Sequence, residues 1–192
     1  MTEAKPTKSA IRATIQEYGY QMSIVFDEDN KVVFAHSIGL RETYGHPELL
    51  FLGMPLDKMV RFGLADGALE DILDAMVEQI EAGTTFVPGA VDASTVAGHR
   101  LHLVPVDRMY YKHFLHDAVL YYGGLDFDAL QVVWTDRRGK FPWERGFTER
   151  FGAAQPTLCL GQESRKRAGL PLLPEPTPGR PARTGARKGR VS

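Results

Sequence analysis

Residues 20–26, YQMSIVF, and residues 32–38, VVFAHSI, are two runs rich in β-branched and aromatic side chains, separated by the turn-forming cluster Asp27-Glu28-Asp29-Asn30. The pattern predicts a β-hairpin near the start of the fold. Outward from it, Gly39 and Gly45 break the chain, and the apolar run Glu48 to Leu52 (ELLFL) reads as a third strand. On the other side, Ile11 to Tyr18 suits a short helix, with residues 1–10 expected to be flexible.

Pro55 opens a helical region. Within it Leu69, Ile72, Leu73, Met76, Val77 and Ile80 form one apolar stripe of an amphipathic helix, with Gly83 where that helix should stop. Residues 84–98 carry turn signals and at most one short strand. Leu101 to Val106 (LHLVPV) alternates as a strand with Pro105 at its end or on an edge. Asp107 is placed to cap a second helix running to about Tyr122, ahead of Gly123-Gly124. Leu130 to Trp134 (LQVVW) is the strongest strand signal, followed by a turn at Asp136 to Gly139.

The predicted order is β-β-β-α-β-α-β after a short helix. Hairpin first and helices segregated, it belongs to the α+β class: a single domain, with a mainly antiparallel mixed sheet and helices packed on one face. The domain is expected over residues 11–161, followed at 162–192 by a basic tail rich in Pro and Gly. Such a tail buries too little apolar surface to offset its ordering entropy, so it is expected to be disordered.

Length and composition agree with one domain and an appendage. The chain has 192 residues, 43% hydrophobic and 24% charged, within the ordinary globular range. Its net charge of −1 averages an acidic body with a basic end: eight basic residues against two acidic follow Gln162. An acidic body argues against a nucleic-acid groove on the domain, since duplex binding draws on clustered Lys and Arg. The tail is left to weak electrostatic contacts. No secretory signal and no apolar run long enough to span a bilayer are visible, which makes the cytoplasm the expected location and a membrane partner unexpected. The one cysteine, Cys159, permits no disulfide within the chain.

Three short motifs follow in order: His36-Ser37-Ile38-Gly39-Leu40, then Gly45-His46-Pro47-Glu48-Leu49, then Gln131-Val132-Val133-Trp134-Thr135-Asp136 with Gly139 and Phe141-Pro142-Trp143. Together they resemble the bacterial family catalogued as domain of unknown function 4262, over about residues 15–145. His36-Ser37 stands where that family typically shows Tyr-Thr. The resemblance implies the domain and no activity.

The residues themselves leave two readings open. In one, His46 and Glu48 act as a general base and its orienter or as metal ligands, joined by His36 and Asp136. In the other, Gly45 to Glu48 is a turn, with Pro47 fixing the start of a strand. The spacing of His36, His46 and Glu48 matches no established metal motif, so no metal and no cofactor are expected. Gln131, Trp134, Phe141 and Trp143 read either as an aromatic wall with an amide for ligand recognition or as a strand and turn. A pocket lined by Gly39 to Glu48 and by Gln131 to Trp143 is therefore the candidate site. His113 and His116 fall opposite the apolar stripe of their helix and should face solvent. His99 and His102 are read as an outer polar face, and Cys159 as a small buried hydrophobe. No GxGxxG after a strand, Walker loop, GxSxG elbow or CxxC pair is present. A non-catalytic module that binds a small molecule or a protein is the leading expectation, and a small hydrolase or metal-assisted enzyme using His46 and Glu48 is the alternative.

Overall fold

A computed structural model describes residues 7–26, 32–52, 68–136, 138–148 and 155–172. The hairpin strands are β1 (Gln21–Phe26) and β2 (Val32–Ile38), paired antiparallel with Gln21 opposite Ile38. Strand β3 (Glu48–Leu52) continues the sheet antiparallel to β2, so that Phe34 faces Leu52. Then β3 pairs in parallel with β6 (Ala129–Trp134), which in turn takes β5 (Leu101–Pro105) antiparallel. The two-residue β4 (Val91–Asp92) closes the far edge, giving the order β1-β2-β3-β6-β5-β4. The sheet is mixed, and the chain is a single α+β domain.

Six helices accompany the sheet among the described residues: α1 (Lys8–Tyr18), α2 (Leu40–Tyr44), α3 (Ala68–Glu81), α4 (Tyr111–Phe114), α5 (His116–Tyr122) and α6 (Gln162–Arg167). Helix α1 begins within the segment expected to be flexible, because Thr7 caps it by accepting from the Ala10 N–H at 3.3 Å. Gly19, at φ 84°, ends it. Helix α3 matches the predicted stripe, with Ile72, Leu73, Met76, Val77 and Ile80 all buried. The helical start expected at Pro55 lies outside the described residues, as does the turn at Asp27 to Asn30.

The helices occupy both faces of the sheet, not one. Leu49, Phe51, Leu103, Leu130, Val132 and Trp134 bury against α3. Residues of the other parity, among them Phe34, Ile38, Leu50 and Leu52, bury against α1, α4 and α5. The physical reason is the central parallel pair, whose strands β3 and β6 are buried at every position and so need cover on both sides.

The expected single helix from Asp107 is broken. A 3₁₀ turn at Arg108–Tyr110 leads into α4, and Leu115, with φ −125° and ψ 34°, separates α4 from α5. Asp107 makes no cap bond to this helix. Its carboxylate instead accepts from the backbone N–H groups of Leu160 and Gly161.

The packed body also runs past Gly161. Helix α6 falls in the segment expected to be disordered, and Ala168 and Leu170 join Val104, Val133, Phe141 and Cys159 in a third apolar cluster. Arg165 is buried with them, donating from Nε to the Pro171 carbonyl at 2.6 Å and from a terminal nitrogen to the Cys159 carbonyl at 2.7 Å. The rest of the expected tail, 173–192, lies outside the described residues.

Candidate functional site

Glu48 is fully buried and collects four donors. The Ser37 hydroxyl donates to one carboxylate oxygen at 2.6 Å. The other oxygen accepts from the Gly39 N–H at 3.0 Å, the Arg41 N–H at 3.3 Å and the Tyr122 hydroxyl. Gly39 and Arg41 open α2, and Gly39, having no side chain, supplies no cap of its own. Glu48, delivered from the start of the next strand, thus supplies the capping acceptor that the N-cap Gly39 lacks, and its charge also suits the positive end of the helix. Gly39 itself sits at φ 105° with Ile15 so close that a Cβ would meet it at 2.9 Å. Burial raises the Glu48 carboxyl above its ordinary range, against the pull of these hydrogen bonds.

His46 points elsewhere. Its Nδ1 bonds the Pro47 carbonyl at 2.7 Å and its Nε2 bonds the Phe86 N–H at 3.0 Å. A ring that donates at Nδ1 and accepts at Nε2 is neutral, and burial holds its pKa below the usual value. His46 and Glu48 therefore each close a separate turn. His36, also buried, has Nδ1 3.0 Å from the Ser37 carbonyl, with its pKa lowered by burial. Among the described residues, no three His, Cys, Asp or Glu side chains gather as a metal-binding group.

The Gln131 to Trp143 segment divides between the two faces of the sheet. Trp134 packs toward α3 and donates from its indole to the Leu52 carbonyl at 3.3 Å. Phe141 and Trp143 stack on the opposite side at 5.3 Å, with His102 edge-on to both. His102 is thus buried, not on an outer polar face; its Nε2 lies 2.8 Å from the Ala168 carbonyl. His113 and His116 are exposed, as their helix face predicts.

The Gln131 side chain is engaged within the fold. Its amide holds the C-terminal segment, donating to the Pro156 carbonyl and accepting from the Leu158 N–H, both at 2.9 Å. Gln155 does the same in return, accepting from the Trp134 N–H at 3.1 Å and donating to the Trp134 carbonyl at 2.7 Å. Asp136 is a turn residue. It accepts from the Arg138 N–H, the Lys140 N–H and both the N–H and hydroxyl of Thr148, at 2.8 to 3.0 Å. Burial opposes its charge, but these donors outweigh burial and hold the carboxyl below the usual range.

Two adjoining clefts lie at the end of the sheet where β3 and β6 begin and β5 ends. The larger, about 310 Å³, is lined by Pro47, Pro88, Pro105, Arg108, Asp128 and Arg167 among others. The smaller, about 230 Å³, is lined by Arg41, Gly45, His46, Asp126 and Phe127, and shares Pro47, Arg108 and Asp128 with the first. The floor is fixed by backbone bonds from the Glu48 N–H to the Asp128 carbonyl at 2.9 Å and from the Val106 N–H to the Ala129 carbonyl at 3.0 Å. Arg108 lies 3.9 Å from Asp128, and both side chains are open to water, 57% and 84% exposed. Such a pair is weak and free to exchange partners. Arg41 donates to the Asp126 carbonyl and lies over the Tyr122 ring at 5.8 Å.

Of the predicted site residues only His46 reaches these clefts, together with its neighbour Gly45. Arg108, Asp128 and Arg167 are brought there by the ends of β5, β6 and α6 and carry no motif in the sequence.

The family model described as Domain of unknown function (DUF4262) matches residues 14–148. The chain belongs to this family. The match covers the hairpin, the central parallel pair and the Phe141-Pro142-Trp143 turn, and stops before the C-terminal segment that Gln131 holds. No curated protein and no solved structure matches the chain.

Proposed function

We propose that the chain is a non-catalytic, cytoplasmic module that binds a small ligand in the paired clefts at the start of β3 and β6. The observation that carries this reading is the cleft pair itself: proline walls with Arg108 shared between both chambers, its guanidinium held only loosely by Asp128. The larger chamber is of the size that takes a small molecule. The ionisable groups at the motif positions favour binding over turnover. Glu48, His46 and Asp136 are saturated by hydrogen bonds within the fold, and among the described residues no buried side-chain polar atom lacks a partner. The unpaired, buried Cys159 fits a reducing compartment. No described helix is long and apolar enough to cross a membrane.

A fragment screen followed by amide chemical shifts tests the reading. Binding should move the resonances of Gly45, Asp107, Arg108 and Asp128 together, and Arg108→Glu should abolish the response while leaving the fold intact. Perturbations scattered away from the clefts, or unchanged in Arg108→Glu, contradict it.

A further inference from the structure

The larger cleft has a wall that the family match does not include. Ser164 and Arg167 of α6 line it, and both lie beyond residue 148. Helix α6 is fixed there from several sides. Gly89, at φ 87°, approaches the Arg167 carbonyl so closely that a Cβ would come within 2.8 Å of it. The next carbonyl, that of Ala168, is bonded to His102, and the Leu170 N–H returns to the Arg165 carbonyl at 2.9 Å. Ala168 and Leu170 are buried. The backbone that carries Arg167 is therefore held firmly, while the residue itself is exposed.

Among the described residues the Arg167 guanidinium has no hydrogen-bond or ion-pair partner. Two arginines thus line one small chamber together with two carboxylates, neither of them bonded to Arg167. Arg108 has its loose contact with Asp128, and Asp107, the other carboxylate of the lining, is bonded to the backbone at Leu160 and Gly161. Between the charges the walls are apolar, with Pro47, Pro88, Pro105, Val106 and Leu130. A planar guanidinium binds two oxygens of one carboxylate or phosphate at once, whereas an apolar wall selects for the body attached to them.

We infer that Arg167 makes this cleft selective for an oxyanion carried on a small apolar body, with Ser164 beside it as a further donor. The inference rests on the reading of the cleft as a binding site and adds the ligand class and the residue that sets it.

Calorimetric titration of the full chain with benzoate, phenyl phosphate and the uncharged benzamide tests it. At least one anion should bind about tenfold or more tightly than benzamide, the worth of a charge-assisted hydrogen bond. Arg167→Gln should reduce that anion to the benzamide level without altering the melting temperature, and Arg167→Lys should retain part of the preference. Benzoate and phenyl phosphate together show which oxyanion the cleft prefers. Anion binding within twofold of the parent in Arg167→Gln overturns the assignment. If Arg108→Gln then abolishes binding, the cleft remains a binding site without Arg167. Anions that bind no better than benzamide overturn the oxyanion class. Failure of every probe, with no amide response at the cleft, overturns both readings.

Discussion

Replacing Glu48 by Ala separates a structural carboxylate from a chemical one. The substitution removes the acceptor for the Gly39 and Arg41 N–H groups and for the Ser37 and Tyr122 hydroxyls. Each buried donor left unpaired costs about 1–3 kcal/mol. The Ser37 hydroxyl can turn, the Arg41 N–H lies near the surface and the Gly39 N–H keeps the Tyr122 hydroxyl oxygen at 3.2 Å, so the Tyr122 hydroxyl bears most of the loss. That gives about 2–3 kcal/mol, including a few tenths from the vacated positive end of α2. For a domain of this size the melting temperature should fall by about 4–12 °C. Glu48→Gln keeps an oxygen for Gly39, Arg41 and Tyr122 and removes the burden of a buried charge, so its cost should be about 1–2 kcal/mol. Urea unfolding of the two variants against the parent is the assay. A Glu48→Ala protein within 1 kcal/mol of the parent would refute the argument that this carboxylate caps α2.

Stability should decline as pH falls from 7.5 to 5.5. His36, His46 and His102 all have pKa values lowered by burial, so the unfolded chain takes up protons near pH 6.5 that the native state refuses. Each contributes a slope of up to about 1.4 kcal/mol per pH unit below that point. Asp136, with its carboxyl held low, adds a further loss below about pH 4, whereas Glu48, with its carboxyl raised, works in the opposite direction. Urea midpoints that stay level between pH 7.5 and 5.5 contradict the assigned histidine states. Gln155→Leu should cost about 1–3 kcal/mol by removing the two hydrogen bonds its side chain makes to the Trp134 backbone. It should also speed proteolytic cleavage between residues 155 and 172, and an unchanged cleavage rate would show that Gln155 does not anchor that segment.

The strands and α3 are legible because each presents a periodic pattern several residues long. Helix α2 is not, because its cap is nine residues away in the chain, on a strand. The cover on both faces of the sheet was in fact signalled. ELLFL and LQVVW are apolar without alternation, as strands buried on both sides must be. Parity likewise forbids the proposed aromatic wall, since Gln131 and Trp134 are three residues apart on one strand and face opposite ways. The segment from 155 to 172 is hidden by its composition. Its apolar side chains are scattered among charged and polar ones without a helix or strand period, and Leu158, Cys159, Ala168 and Leu170, with Gln131 reaching across, help to tie it down. The arginines of the cleft have no local signature, because three distant chain segments bring them together.

The parallel pairing of β3 with β6 has a consequence for how the molecule is made. Glu48 registers with Ala129, so the two central strands meet only after some eighty intervening residues have been synthesised. The hairpin of β1 and β2 closes locally and early, but β3, buried along its whole length and apolar from Leu49 to Leu52, must wait for its neighbour. During that interval one flank of an apolar strand is open to pairing with other chains. Slow translation through residues 53–128, or truncation before Ala129, should therefore convert a well-behaved nascent chain into one that depends on chaperones.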